Sequence, residues 1–220
     1  ILGSEGEGGD RARLCRERDF MKANGIDNLR ILVGGEGENG LLGKIEPNLQ
    51  PEPGKYNDDV LAGLDYLMME LGKREMTAVL YFNNAWEWSG GYTQYVAWAN
   101  NTPVLVPRVD GWFSYNTFAG EFVRNERAKQ IFYNHVRYIV TRTNRYTGIK
   151  YIDDPAIFSW QISNEPRAFS SKEVDNKEAF AEWIEASAKL IRSLDPNHMI
   201  STGSEGYYGC EWDMDLCERI

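Results

Sequence analysis

Helix-period and strand-period stretches alternate along the chain. Over residues 10–24, Leu14, Phe20, Met21 and Ala23 recur behind a capping Asp10 and before Gly25, which predicts a helix with those four residues inward. Residues 28–33 (NLRILV) follow as a strand, so helix, glycine and strand make one step of an α/β fold. The step repeats. Asn57 or Asp58 caps a helix with Val60, Leu61, Leu64, Leu67, Met68 and Leu71 on one face, ending near Gly72, and residues 77–82 (TAVLYF) are apolar on both faces, as in a buried parallel strand. Residues 101–114, with Pro103, Pro107 and Gly111, predict an irregular insertion. A helix over 125–144 turns Ala128, Ile131, Phe132, Val136, Ile139 and Val140 inward and leaves His135 on its flank as a packing histidine. The strand at 156–162 (AIFSWQI), a helix over 176–194 and a short strand at 198–202 complete the alternation.

Four strands, four helices and no linker predict one domain over residues 1–220, with long loops at the C-terminal ends of parallel strands. A closed eight-stranded α/β barrel needs about 250 residues. The fold expected from the pattern alone is α/β with parallel strands, at half the strand count of such a barrel.

The strand at 156–162 is the one the chemistry follows. It runs into Asn164-Glu165-Pro166-Arg167, where turn-forming residues stop it and leave a carboxylate at its C-terminal end. Pro166 disfavours helix at the residue before it, so Glu165 is expected to stay extended and point out of the sheet. That end of a parallel barrel is the catalytic face. Asn83, Asn84, Trp86 and Trp88, and further on Tyr95 and Trp98, follow the preceding strand. Amides that bond hydroxyls and indoles that stack on sugar rings suit a glycan groove. Arg30, a guanidinium within an apolar strand, needs a partner, either in a buried salt bridge or beside a catalytic carboxylate. A second carboxylate, Glu205, lies just past the 198–202 strand.

Bulk properties narrow the partners. With 42% hydrophobic and 13% aromatic residues the chain can bury one sizeable core, and its net charge of −9 argues against nucleic acid and allows an uncharged polysaccharide. No run of about 18 apolar residues crosses a membrane, and no metal or other cofactor is expected from two histidines and three cysteines without a Cys-x-x-Cys pair. Cys210 and Cys217 are spaced to form a disulfide or to remain free thiols. Residues 34–40 (GGEGENG) contain a literal Gly-x-Gly-x-x-Gly. Pro47, Pro51 and Pro53 replace the helix that a dinucleotide site requires, and Glu36 and Glu38 would repel phosphate, so a mobile rim loop is expected. Asn100-Asn101-Thr102 is a glycosylation sequon.

The motif Trp160-x-x-x-Asn164-Glu165-Pro166-Arg167 resembles the acid/base motif of glycoside hydrolase family 5, and most closely that of its β-mannanases. The 83–98 segment resembles their third-strand loop, and residues 132–160 the helix, Thr-Gly turn and Asp-Asp-Pro that lead into their fourth strand. The resemblance implies an endo-β-1,4-mannanase acting on mannan, glucomannan or galactomannan by a retaining mechanism, secreted or periplasmic. Glu165 would be the general acid/base, Asn164 the partner of the substrate 2-hydroxyl and Arg167 a contact on the leaving-group side. Asn84 and Trp86 would touch sugar, and Arg30 would lie near the nucleophile. The resemblance also implies the fold, a (β/α)8 TIM barrel in incomplete form: against the family pattern the chain covers about strands two to five, without the first and last strands or the seventh-strand nucleophile Glu. It is therefore expected to be inactive alone, with the remaining barrel segments as its partner. A β-1,4-glucanase of the same family and a catalytically inactive glycan-binding barrel are the alternatives.

Overall fold

In the computed structural model, which describes residues 2–220, the sheet has four parallel strands in sequence order: β1 (Asn28–Leu32), β2 (Thr77–Tyr81), β3 (Ile157–Gln161) and β4 (Met199–Ser201). Each is preceded by a helix. α1 (Arg11–Ala23) is opened by the Asp10 side chain accepting from the Arg13 amide, and it stops where Gly25 turns to φ +78°. α2 (Asp58–Gly72) is capped by Asn57, which accepts from the amides of Asp59 and Val60. Two short helices, α3 (Gly91–Asn100) and α4 (Pro107–Asp110), and then α5 (Trp112–Gly120), lead to α6 (Glu126–Val140), whose cap is Asn125. α7 (Lys177–Leu194) precedes β4, and α8 (Met214–Arg219) closes the chain.

The two faces of the sheet differ in chemistry. On one, Phe82 stacks on Trp160 at 5.4 Å, and the Trp160 indole donates to Asp195, which follows α7. The helices cover this face. Tyr92 of α3, Phe122, Phe132 of α6 and Trp183 of α7 interlock with ring centroids 4.3 to 6.1 Å apart, all buried. A buried carboxylate fastens α2 to the segment after α6: Asp65 accepts two bonds from Arg142 at 2.8 and 2.6 Å and one from Tyr151 at 2.7 Å. The other face carries Arg30, Tyr81 and Gln161 in contact, with the Arg30 guanidinium 4.2 Å from the centre of the Tyr81 ring.

Several expectations need correction. Phe20 is 70% exposed and Ala23 is also exposed, because α1 meets α2 along a narrow stripe that buries only Leu14. The irregular insertion holds α4 and α5, since Pro107 at a first helical turn and Gly111 before Trp112 start helices as readily as they break them. Tyr95 is not a groove residue but is fully buried in α3. The rim loop at 34–40 is anchored: Glu36 donates its amide to Ser89 at 2.8 Å, while Gly35 and Gly37 exchange main-chain bonds with Gln50. Cys210 and Cys217 are joined as a disulfide. His135 packs as expected, buried with its ring nitrogens at the Val33 carbonyl and the Tyr56 hydroxyl.

Candidate active site

The segment after β3 is held by its neighbours on both sides. The Ser163 amide donates to Thr202, the Asn164 amide to Asn83 at 2.9 Å and the Glu165 amide to Gly203 at 3.0 Å, while the Ala85 amide donates to the Asn164 carbonyl. Glu165 is not extended as the sequence predicts, but sits at φ +50°. Pro166 does exclude the right-handed helix, and the bond to Gly203 helps hold the left-handed alternative. For a non-glycine residue that conformation costs on the order of 1 kcal/mol, a cost the surrounding structure must carry.

The half-buried Glu165 side chain accepts a hydrogen bond from the Trp86 indole N–H through Oε2. Trp160, the first residue of the motif, lies on the other face, bonded to Asp195, so it is Trp86 from the β2 loop that touches the carboxylate. Arg167 lies over the same indole, 4.8 Å from its centre, and grips Glu205 with two hydrogen bonds, Nη2 to Oε1 at 2.8 Å and Nε to Oε2. Glu205 holds the guanidinium charged, shifting its pKa above the ordinary arginine value. Glu205 is therefore the ion partner of Arg167.

A second chain of contacts runs from β1. Arg30 donates from Nε to Gln161 Oε1 at 2.7 Å and from Nη1 to Asn164 Oδ1 at 2.9 Å. Asn164 in turn donates through Nδ2 to Asn84 Oδ1 at 2.9 Å. Within residues 2–220 the Arg30 guanidinium meets amides and the Tyr81 ring, and no carboxylate hydrogen-bonds to it. Asn84, expected to touch sugar, is completely buried and orients Asn164 instead. Glu165, Trp86, Arg167 and Asn164 thus lie along one rim, past the C-terminal ends of β2 and β3, and the Arg30 guanidinium reaches it from the middle of β1.

Two residues of this neighbourhood escaped the sequence. Gln161, the acceptor for Arg30, carries no motif. Glu36, in the loop expected to be a mobile rim, is fully buried, its carboxylate accepting from the Gly91 amide at 3.1 Å and the Tyr95 hydroxyl at 3.1 Å. Burial pushes this carboxyl up to about 7 against those bonds and the nearby Lys44. Lys44, whose ammonium donates to the Glu36 carbonyl and to Gln94, is itself lowered to about 8 by burial. The signal was the glycine content. A side chain at Gly90, at φ +96°, would come within 2.2 Å of the Glu36 carbonyl oxygen, so the loop closes down only over glycine.

A carboxylate held by an indole at the C-terminal rim of a parallel β/α sheet, beside an amide network and a paired arginine, places the chain in the class of carbohydrate-active α/β barrels. The family described as GH family 5 beta-mannosidase-like matches residues 1–220. The chain belongs to glycoside hydrolase family 5. A crystal structure of a glycoside hydrolase family 5 mannosidase from Rhizomucor miehei in complex with mannosyl-fructose superposes with a TM-score of 0.88 at 34% identity, covering 99% of this chain and 51% of that one. The endo-β-1,4-mannanase from Thermotoga petrophila gives 0.67 at 26% identity, covering 86% and 38%. Mannan endo-1,4-beta-mannosidase 1 of Arabidopsis thaliana is 36% identical over 161 residues, 73% of this chain and 35% of the relative, and its tomato namesake is 35% identical over 164 residues. The chain spans little more than a third of these curated relatives (35% and 37%), and the four-stranded sheet is an open section of the family's barrel.

Proposed function

We propose that the full-length protein hydrolyses internal β-1,4-mannosidic bonds of mannan, glucomannan or galactomannan, with Glu165 as the general acid/base of a retaining mechanism. The observation that carries this is the Trp86-to-Glu165 hydrogen bond on the same rim as the Arg30–Asn164–Asn84 chain. The Trp86 N–H needs a lone pair and engages Oε2, so Oε1 is the oxygen left to carry the transferable proton. Glu165 gives that proton to the glycosidic oxygen as a second carboxylate, outside residues 1–220, attacks the anomeric carbon and the C–O bond breaks. It then takes a proton from the water that releases the sugar. Asn164, aimed by Arg30 and Asn84, accepts or donates at the substrate 2-hydroxyl. Arg167, kept charged by Glu205, contacts the leaving sugar. The names of the relatives support mannan as the polymer.

The protein acts outside the reducing cytoplasm, secreted or periplasmic, a reading supported by the bond between Cys210 and Cys217. Release of reducing ends from galactomannan and from carboxymethyl cellulose by the full-length protein tests the substrate. Galactomannan is expected to be cut at least about tenfold faster at equal concentration, a difference of about 1.4 kcal/mol in the barrier. Preference for the cellulose derivative would contradict the mannan assignment, and binding of either polymer without any cleavage would contradict catalysis.

A further inference from the structure

The helix α3 begins without a cap of its own: Gly90 precedes it and has no side chain to accept from the free amides of the first turn. The acceptor comes from the loop after β1. Glu36, 55 positions earlier, receives the Gly91 amide on Oε2 at 3.1 Å, and on Oε1, also at 3.1 Å, the hydroxyl of Tyr95 one turn further along the helix. Both side chains are completely buried. An apolar side chain of the same size would fill that space without the cost of burying a carboxyl, so what Glu36 adds is its pair of acceptors.

Those bonds bear on the loop that runs from β2 into α3. A Cβ at Gly91, where φ is +59°, would lie 2.3 Å from the Asn84 carbonyl oxygen and 2.6 Å from that of Trp86, so residue 91 backs directly onto both. The Tyr92 amide donates to the same Asn84 carbonyl at 3.2 Å. The β1 loop grips the segment at two further points, from the Glu36 amide to the Ser89 carbonyl and from the Ile45 amide to the Trp88 carbonyl, each at 2.8 Å. Trp86 lies between these anchors, and its indole N–H is the group that meets Glu165.

We infer that Glu36 is a positioning residue for the reaction: through the Gly91 amide its carboxyl fixes the loop that presents the Trp86 N–H to Glu165. Glu36 touches no substrate in this account and acts only on where the proton donor is held. The inference rests on the proposed glycosidase reading.

The test measures kcat/KM for β-1,4-linked mannohexaose and for a dinitrophenyl β-mannoside in the full-length protein. Glu36→Met keeps the volume and removes the acceptors, while Lys44, which donates to the main-chain carbonyl of residue 36, keeps that bond. The hexaose value should fall about tenfold, because Trp86 no longer fixes the group that delivers the proton, and the dinitrophenyl value should stay within about twofold, because that leaving group departs unprotonated. Glu36→Gln still accepts from Gly91 and should bring the hexaose value back to within about twofold of wild type. In a Trp86→Phe background Glu36→Met should cost less than about twofold more, since the contact it supports is already gone. Glu36→Asp withdraws the carboxyl by one methylene and should repeat the loss, which keeps the test decisive if Glu36→Met does not fold. An unchanged hexaose value in Glu36→Met and Glu36→Asp, an equal fall on both substrates, a loss in Glu36→Gln as large as in Glu36→Met, or full additivity with Trp86→Phe would overturn the inference and leave the glycosidase reading standing. A wild type that cleaves neither substrate would overturn that reading and the inference with it.

Discussion

Trp86 touches Glu165 by a hydrogen bond and touches Trp112, Phe169 and Arg167 by its ring, and the two kinds of contact separate by substitution. Trp86→Phe keeps most of the ring and removes the N–H. One hydrogen bond to a charged group contributes on the order of 1.5–3 kcal/mol, so kcat should fall roughly 10- to 100-fold with little change in thermal stability. A drop in melting temperature without loss of kcat would mean that the indole only packs. Glu36 gives the matching prediction for stability. Its carboxyl has a folded-state value of about 7, above the ordinary 4.5, so it binds its proton more tightly when folded. That contribution is present at low pH and is lost as pH rises from about 4.5 to about 7, and a shift of this size corresponds to about 3 kcal/mol. Glu36→Gln removes the titration, so between pH 4.5 and 8 the wild type should lose stability relative to the variant. Denaturant midpoints measured across that range check it, and parallel curves would refute the assignment. The histidine behaves oppositely: burial holds His135 down at about 4, so its contribution is lost as pH falls from 6.5 towards 4.

The elements show where sequence and structure part. β1 to β4 were legible because apolar runs between turn residues have few alternatives, and Asn57, Asp10 and Asn125 cap as their side chains allow. The rim was legible only as a set of residues. Which face Trp160 takes depends on Asp195, thirty-five positions later, and whether Glu205 attacks a sugar or pairs with Arg167 depends on the bend of another loop. Such long-range contacts leave no local periodicity. The left-handed Glu165 is of this kind, since Pro166 forbids one conformation and a bond to Gly203 helps select among the rest. The clamp between α2 and the segment after α6 yields its own prediction. Asp65 is fully buried and neutralises Arg142 through two bonds, so Asp65→Ala strands a guanidinium and should destabilise the protein by about 3–5 kcal/mol. A loss under about 1 kcal/mol in urea unfolding would show that water reaches Arg142.

At the scale of the whole molecule, residues 2–220 form a parallel sheet whose helical side is packed and whose other side is uncovered among these residues. Phe158 and Met199 are about half exposed, and the outer edges of β1 and β4 pair with no strand among the described residues. Such edges invite association. Residues 1–220 produced alone are therefore expected to elute as aggregates and to release no sugar from mannan; a monomer that cleaves galactomannan would contradict the assignment of the attacking carboxylate to another part of the protein. The account turns on Glu165 as proton donor, and the most direct measurement is Glu165→Ala in the full-length protein on two substrates. Galactomannan has a poor leaving group and needs the proton, so its hydrolysis should fall by about 10²- to 10⁴-fold. A dinitrophenyl β-mannoside leaves without protonation, so its first step should persist, and added azide should accelerate turnover to a mannosyl azide of retained configuration. Equal loss on both substrates, with no response to azide, or no loss on galactomannan, would contradict the role given to Glu165.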